Sequence, residues 1–258
     1  MDIARLLRET FVRRVEHHQV LASTNDRAAQ CARERGVRLP LLVMANQQTA
    51  GRGRGANRWW TGPGSLAFSL LVEADTVGAD RRRSPLVALA VGLAVADSVA
   101  SLLPGRRVGI RWPNDVVVAE APTDDRKLAG ILVEVLPDGR HVIGIGLNSN
   151  NTLADAPANL AATVCTLRDL TGAGQDETSL LIRLLRGLER GFAQLRSSPP
   201  EIGNRANALC VQRGRPLTIE NGGKRVTGTC RGIAADGALW LDTAAGPARF
   251  VSGSTRYA

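Results

Sequence analysis

Two spacings of apolar positions run through the chain, and each marks a different kind of element. Apolar-rich runs at 41–45 and 65–73 predict two strands. Further strands are expected at 108–112 with 116–119, at 128–135 and at 141–147, the last two joined by a Pro137-Asp138-Gly139 turn. Spacings of three and four predict helices. Ser23-Thr24-Asn25-Asp26 supplies capping residues for one that runs to about Arg35, with Gly36 as its stop. Ser84 and Pro85 open a long apolar helix that Pro104-Gly105 closes, and Leu180, Leu181, Leu184, Leu185 and Leu188 define a core stripe on a helix over 177–195. Ser197-Ser198-Pro199-Pro200 breaks that helix, a short helical stretch follows, and the pattern changes near Gln212. Short strands at 216–220, 225–233, 238–241 and 248–251 then alternate with turns at Asn221-Gly222-Gly223 and Asp236-Gly237, which predicts a small all-β unit. The chain contains no internal repeat.

With 258 residues, 44% of them apolar, the chain can bury a substantial core, so disorder is excluded. Its net charge of +9 comes from arginine: of the 33 basic residues only Lys127 and Lys224 are lysines. Such skew reflects coding bias and is a poor argument for nucleic acid. The run Arg81 to Arg83 reads as a solvated surface. Cys31, Cys165, Cys210 and Cys230 are far apart and form no C-x-x-C pair, so zinc-ribbon and redox motifs lack support and reduced thiols are expected. No secretory signal occupies 1–15, and Gly92, Asp97 and serines interrupt the apolar stretch 85–103, so a cytoplasmic protein without a membrane span is expected.

Candidate chemistry changes this picture at residues 50–59. The segment Ala50-Gly-Arg-Gly-Arg-Gly-Ala-Asn-Arg-Trp59 holds three arginines, three glycines and no acidic residue between two strands. Glycines allow close backbone approach and guanidinium forks suit phosphate, so the loop reads as a wrap for an anion. Arg111-Trp112-Pro113-Asn114-Asp115 sets an amide and a carboxylate on a turn at a strand end, where an ordinary Asx-turn is the plain alternative. At 127 the chain keeps a lysine where it otherwise writes arginine, which points to a compact ammonium at a strand mouth, although Lys224 also survives in a hairpin turn. Gly144 and Gly146 share one face of an apolar strand, marking close approach of a ligand or a bulge.

Taken in series, S-T-N at 23–25, Q-x-x-G-R-G-R-x-x-x-x-W at 48–59, W-P-N-D at 112–115, R-K-L-A-G-I-L-V-E at 126–134 and G-I-G-L-N at 144–148 resemble the biotin-protein ligase family over nearly the whole chain. The resemblance implies an α+β fold: a mixed sheet with helices similar to class II aminoacyl-tRNA synthetase cores over 1–209, and a small SH3-like barrel over 210–258. It implies ATP-dependent activation of biotin as biotinyl-5′-AMP, with Mg²⁺, and transfer to a lysine of a biotin carboxyl carrier protein. On the matching positions, Ser23, Thr24, Asn25 and Gln48 would bind the ureido group, and Gly130, Ile131, Leu132, Gly144 and Gly146 would wall the biotin ring and tail. Arg52, Gly53 and Arg54 would belong to a loop closing over biotin and adenylate, with Trp59 packing in the closed loop. Lys127 and Arg54 would be catalytic, Asp115 would assist the amine or a metal whose ligands stay unassigned, and Asn114 and Asn148 would join Arg52, Arg54, Trp59 and Lys127 around ATP.

The chain departs from the family pattern at Gly55, Ala56 and Asn57, which leaves one charge or two fewer near the phosphates. Its S-T-N motif begins at residue 23, too early for the N-terminal helix-turn-helix that makes some members repressors, so no DNA-binding domain is expected. Exposed sheet edges leave a homodimer open. Two rivals remain. Lipoate and octanoate protein ligases resemble the same fold, and an arginine-rich nucleic-acid module would use charge alone; with nine aromatic residues in the chain, stacking platforms for the latter are scarce. The unit from Cys210 has seven basic and three acidic residues, and its more economical role is to support the site and dock an acceptor.

Overall fold

Strands β2 (Leu41–Gln48), β3 (Leu66–Val72) and β7 (His141–Leu147) are the apolar runs of the sequence, and helices cover one face of them and part of the other. A computed structural model describes residues 1–78, 84–121 and 124–258, so the arginine run 81–83 lies outside the described residues. The remaining elements of the first sheet are β1 (Arg14–Leu21), β4 (Arg107–Arg111), β5 (Asp115–Ala121) and β6 (Asp124–Val135). Its order is β1-β2-β3-β7-β6-β5-β4, parallel only between β1 and β2 and antiparallel elsewhere.

Alternation along these strands separates two faces. Phe68, Leu70, Ile131, Ile143 and Ile145 join the main core beneath α4 (Ser84–Ala100) and α7 (Glu177–Ser197). Helix α4 is apolar all round because it is buried all round, and the α7 leucines face it as core. On the opposite face, α2 (Thr24–Cys31) covers only one end, packing Ala28 and Cys31 on Leu41, Val43, Leu71 and Val142. The rest of that face carries Gly130, Leu132 and Gly146 and has no helix lying along it. No helix of the described residues is long and apolar enough to cross a membrane.

Helix α8 (Pro199–Ala208) starts on its two prolines and leads to the second sheet, built from β8 (Pro216–Asn221), β9 (Lys224–Ile233), β10 (Leu239–Thr243), β11 (Gly246–Phe250) and β12 (Ser254–Tyr257). All its pairs are antiparallel, in the order β11-β10-β9-β8-β12. Gly222 and Gly223, at φ 58° and 77°, make the β8–β9 turn beside Lys224, the plain hairpin expected there. Residues 209–211 pair with the free edge of β4, where Leu209 O accepts from Ile110 N at 2.8 Å. The apolar core continues across this junction to Leu217, Ile219, Ile233, Leu239 and Leu241.

Some elements escape the pattern. Strand β1, Arg-Val-Glu-His-His-Gln-Val-Leu, is a polar edge strand whose pairing with β2 gives it its conformation. Helices α1 (Ile3–Glu9), α3 (Ala74–Val77), α5 (Ala158–Ala161) and α6 (Leu167–Thr171) are too short to form without tertiary support, and β12 has four residues. Helix α2 stops at Cys31, four residues before the expected Arg35, and turns carry the chain to Gly36 at φ 70°. Strand β6 begins at Asp124, which places Lys127 inside the strand and not at its mouth.

Candidate active site

The Ser23 hydroxyl caps α2, so Ser23, Thr24 and Asn25 stand at a helix N-terminus, all three buried. Thr24 N donates to Gln48 Oε1 at 2.8 Å, and Gln48 Nε2 donates to Thr61 Oγ1 at 3.1 Å. Ser69 Oγ lies 2.8 Å from Thr24 Oγ1 and 2.6 Å from Asn25 Oδ1, while Asn25 Nδ2 donates to Glu134 Oε2 at 2.7 Å. The result is a floor of neutral donors and acceptors. Sequence reasoning missed Ser69, whose signal was a lone hydroxyl amid the apolar residues of β3. It also gave no role to Glu134, which shares the face of Gly130 and Leu132 by simple alternation.

Glycines make the walls thin. A Cβ on Gly144 would fall 2.1 Å from Asn25 Oδ1, and one on Gly146 would fall 2.2 Å from Trp59 Cε2. A Cβ on Gly130 would meet both Lys127 and Trp59 at about 3 Å. Close approach is therefore the reason for the glycines, in place of a bulge at β7.

Residues 51–59 form a ribbon closed on itself. Gly53 N donates to Asn57 O at 2.8 Å, Trp59 N donates to Gly51 O at 2.9 Å, and Arg52 bridges Arg58. The expected inward-turned N–H of Gly53 is thus spent within the loop. Only Gly55, at φ 65°, uses the left-handed region. The ribbon lays the Trp59 indole over the sheet, and its buried Nε1 has no acceptor among the described residues. Arg52 does not hang free in the cavity: its Nη2 lies 2.5 Å from Glu134 Oε2 and 3.0 Å from Asp26 Oδ1. Arg54 Nη2 donates to Gly253 O at 2.6 Å, so the loop rests against the C-terminal sheet. Burial pulls the Arg54 pKa down from its ordinary value, while the charge of Asp115 pushes the other way.

Lys127 reaches this face through a bulge. Val117 pairs with Lys127 and Val116 with Ala129, so Leu128 is the extra residue. Without it, residues 127 and 130 would point to opposite sides. With it, Lys127 Nζ comes to 2.7 Å from Asp115 Oδ1 and 5.5 Å from the Trp59 ring centroid. Asp115 Oδ2 accepts from Arg111 Nη2 at 3.1 Å, and Asn114 Nδ2 donates to Ile131 O at 2.6 Å.

Together these groups line one cavity of about 620 Å³, within the range of small-molecule sites. It gathers Ser23, Thr24, Asn25, Gln48, Arg52, Gly53, Arg54, Trp59, Asn114, Asp115, Lys127, Gly130, Gly144 and Gly146. Asn148 is not among them. Buried, it donates through Nδ2 to Cys165 O at 3.1 Å, and Cys165 N in turn donates to Lys127 O at 2.9 Å. Its place is behind Lys127. Sequence reasoning also missed Arg111 and Gln212 as cavity wall, and residues 253–257, which only the second sheet brings there.

Residues 18–150 match the sequence model of the biotin/lipoate A/B protein ligase family, and residues 214–254 match that of the biotin protein ligase C-terminal domain. The chain belongs to the biotin/lipoate protein ligase family. It is 36% identical over 205 residues to the biotin–[acetyl-CoA-carboxylase] ligase of Mycobacterium tuberculosis, covering 78% of this chain and 73% of that protein. A second such ligase, from Paracoccus denitrificans, is 31% identical over 87% of this chain and 92% of its own length. The fold of the biotin protein ligase from Aquifex aeolicus, in complex with biotin and ATP, superposes with a TM-score of 0.82 over 95% of this chain and 100% of that one, at 23% identity. In this ligase-family chain the neutral floor, the glycine wall, Lys127 and the arginines line one cavity.

Proposed function

We infer that this chain is an ATP-dependent ligase that activates biotin as biotinyl-5′-AMP and transfers the biotinyl group to a lysine of a biotin carboxyl carrier protein. One observation carries the reading. A single cavity joins a neutral hydrogen-bonding floor, suited to an uncharged ureido group, to a wall of Lys127, Arg54, Arg58 and Arg111, suited to phosphate.

In the first half-reaction a biotin carboxylate oxygen bonds to the α-phosphorus of ATP and pyrophosphate leaves with the electrons of the broken P–O bond. In the second, a lysine amine bonds to the acyl carbon, AMP leaves and the amine loses a proton. Negative charge gathers near phosphorus in the first step, where Lys127 and Arg54 would stabilise it and align the carboxylate. Asn114 would contribute through its fixed amide, and Asn148 would act from behind by holding the strand segment of Lys127. Trp59 over the glycine wall would exclude water from the anhydride.

Mg²⁺ fits this site as part of the nucleotide. Asp115 is the one carboxylate of the cavity lining among the described residues, and it already pairs with Lys127 and Arg111. A magnesium ion commonly takes few protein ligands and several phosphate oxygens, so the triphosphate would carry it and neutralise the departing pyrophosphate. The class II synthetase-like description of the mixed sheet, the SH3-like description of the second sheet and the division at 209/210 belong to the same reading. So does a cytoplasmic setting, which agrees with four buried cysteines that form no disulfide. A homodimer through the open edge of β1 is the matching proposal for assembly, checked by sedimentation.

Incubation with biotin, ATP and Mg²⁺ followed by mass spectrometry should yield biotinyl-5′-AMP. Absence of that product from folded protein rejects the assignment. Titration calorimetry with biotin and with lipoate separates this reading from the lipoate alternative.

A further inference from the structure

Behind the cavity, Asp125 is held by three donors from two sheets. Its side chain is 3% exposed, yet neither Asp125 nor Arg215 belongs to the cavity wall. Oδ1 accepts from Arg215 Nη1 at 3.1 Å, and Oδ2 accepts from Tyr257 OH at 2.9 Å and Arg111 Nη1 at 3.4 Å. The Arg215 guanidinium also stacks on the Tyr257 ring, 3.3 Å from its centroid. Burial, and then the charge of Asp125, raises the Tyr257 phenol above its ordinary pKa, so it remains a donor throughout the working range of pH.

Arg111 spans two carboxylates. Through Nη1 it holds Asp125, and through Nη2 it holds Asp115 Oδ2 at 3.1 Å, leaving Asp115 Oδ1 to meet Lys127 Nζ at 2.7 Å. The chain Tyr257/Arg215–Asp125–Arg111–Asp115–Lys127 is thus continuous from the second sheet to the ammonium at the reacting centre. Each member fixes the rotamer of the next. A carboxylate buried among two guanidinium groups has few alternative orientations, and a planar guanidinium forked between two carboxylates has few as well.

We propose that Asp125 is a positioning residue for the adenylation step, through which Tyr257 of the C-terminal sheet and Arg215, just before β8, hold Lys127 in register with the carboxylate and α-phosphate. The proposal rests on the ligase reading and deepens it. It gives the second sheet a part in the chemistry beyond closing the cavity. Asp125 touches no reacting atom and acts only through Arg111 and Asp115.

The test is rapid-quench measurement of biotinyl-adenylate formation at saturating biotin and ATP, with biotin affinity read separately by calorimetry. Wild-type protein must make the adenylate; if it does not, the ligase reading itself fails, and this proposal with it. Asp125→Asn should slow the step about tenfold or more while biotin affinity stays within about twofold. In a double-mutant cycle, Asp125→Asn added to Asp115→Asn should cost little further, because both break one chain. Losses that multiply, or an unchanged rate in folded Asp125→Asn protein, overturn the proposal. Should Asp125→Asn not fold, Tyr257→Phe removes only the phenol hydrogen bond and should slow adenylation about threefold, again without further loss on Asp115→Asn. An unchanged rate in that variant overturns it equally.

Discussion

The Asn25 amide stands against the bare backbone of Gly144, 2.1 Å from where an ideal Cβ would lie. Asn25 cannot easily withdraw, since Ser69 contacts its Oδ1 and Glu134 accepts from its Nδ2. Gly144→Ala should therefore push Asn25 into the cavity from its floor and weaken biotin binding about tenfold or more, a cost on the order of 1–3 kcal/mol. Gly174→Ala is the control, because its nearest neighbour is Asn150 Oδ1 at 3.8 Å. Calorimetry showing equal biotin affinity for both variants would count against the assignment of this pocket.

Lys127→Ala should leave the fold intact and cripple adenylate formation. Asp115 keeps Arg111 as its partner when the lysine is gone, so no carboxylate is stranded. Losing one such electrostatic contact costs on the order of 3 kcal/mol, or a rate reduced about a hundredfold. Lys127→Arg should not restore the rate, since a planar fork cannot replace a compact ammonium beneath Trp59. Single-turnover rates and thermal melts on the same samples decide this.

Arg52 and Glu134 close the loop with a pair whose side chains are 40% and 33% exposed. Such pairs are worth about 1 kcal/mol or less, so without ligand the loop should open readily. Trypsin should cut within 52–58 in the free protein and be blocked by biotin with ATP. Glu134→Gln, which removes one of the two carboxylates that Arg52 meets, should speed cutting of the free protein. Identical cleavage with and without ligands would falsify the idea of a ligand-ordered loop.

His141 is fully buried in β7 between Val72 and Val135, and neither ring nitrogen makes a well-formed hydrogen bond among the described residues. Burial lowers its pKa from 6.5 and outweighs the nearby Gly139 backbone, which pushes the other way, so the folded protein holds it neutral. The unfolded chain then takes up a proton first as pH falls. Stability contributed by the neutral ring is present above 6.5 and declines below it, by at most about 1.4 kcal/mol per pH unit until the folded value is reached. In urea melts at about pH 7.5 and about pH 5.5, His141→Leu should lose less stability on acidification than wild type. A stability difference between the two proteins that does not change with pH would refute this.

Periodicity and motif order made much of the site legible. Gly144 and Gly146 could be put on one face because strand alternation is local, and Ser23 could be put at a helix start because capping is local. Lys127 stood out by composition alone. The route by which it reaches the cavity could not be read, since a bulge at Leu128 is set by pairing with β5. Asn148 was expected at the nucleotide and lies instead behind Lys127, because the turn after β7 directs its amide to Cys165 O.

The sequence by itself determined the strands that bury both faces, the α4 and α7 core helices, the capped mouth at Ser23 and the glycine-arginine loop, because each rests on contacts a few residues apart. Tertiary structure alone decided that β12 and Gln212 belong to the cavity and that Arg54 rests on Gly253 O. It also decided that Arg52 meets Glu134 and Asp26. Those outcomes depend on groups up to 199 residues apart in the chain, brought together only when the two sheets share one core.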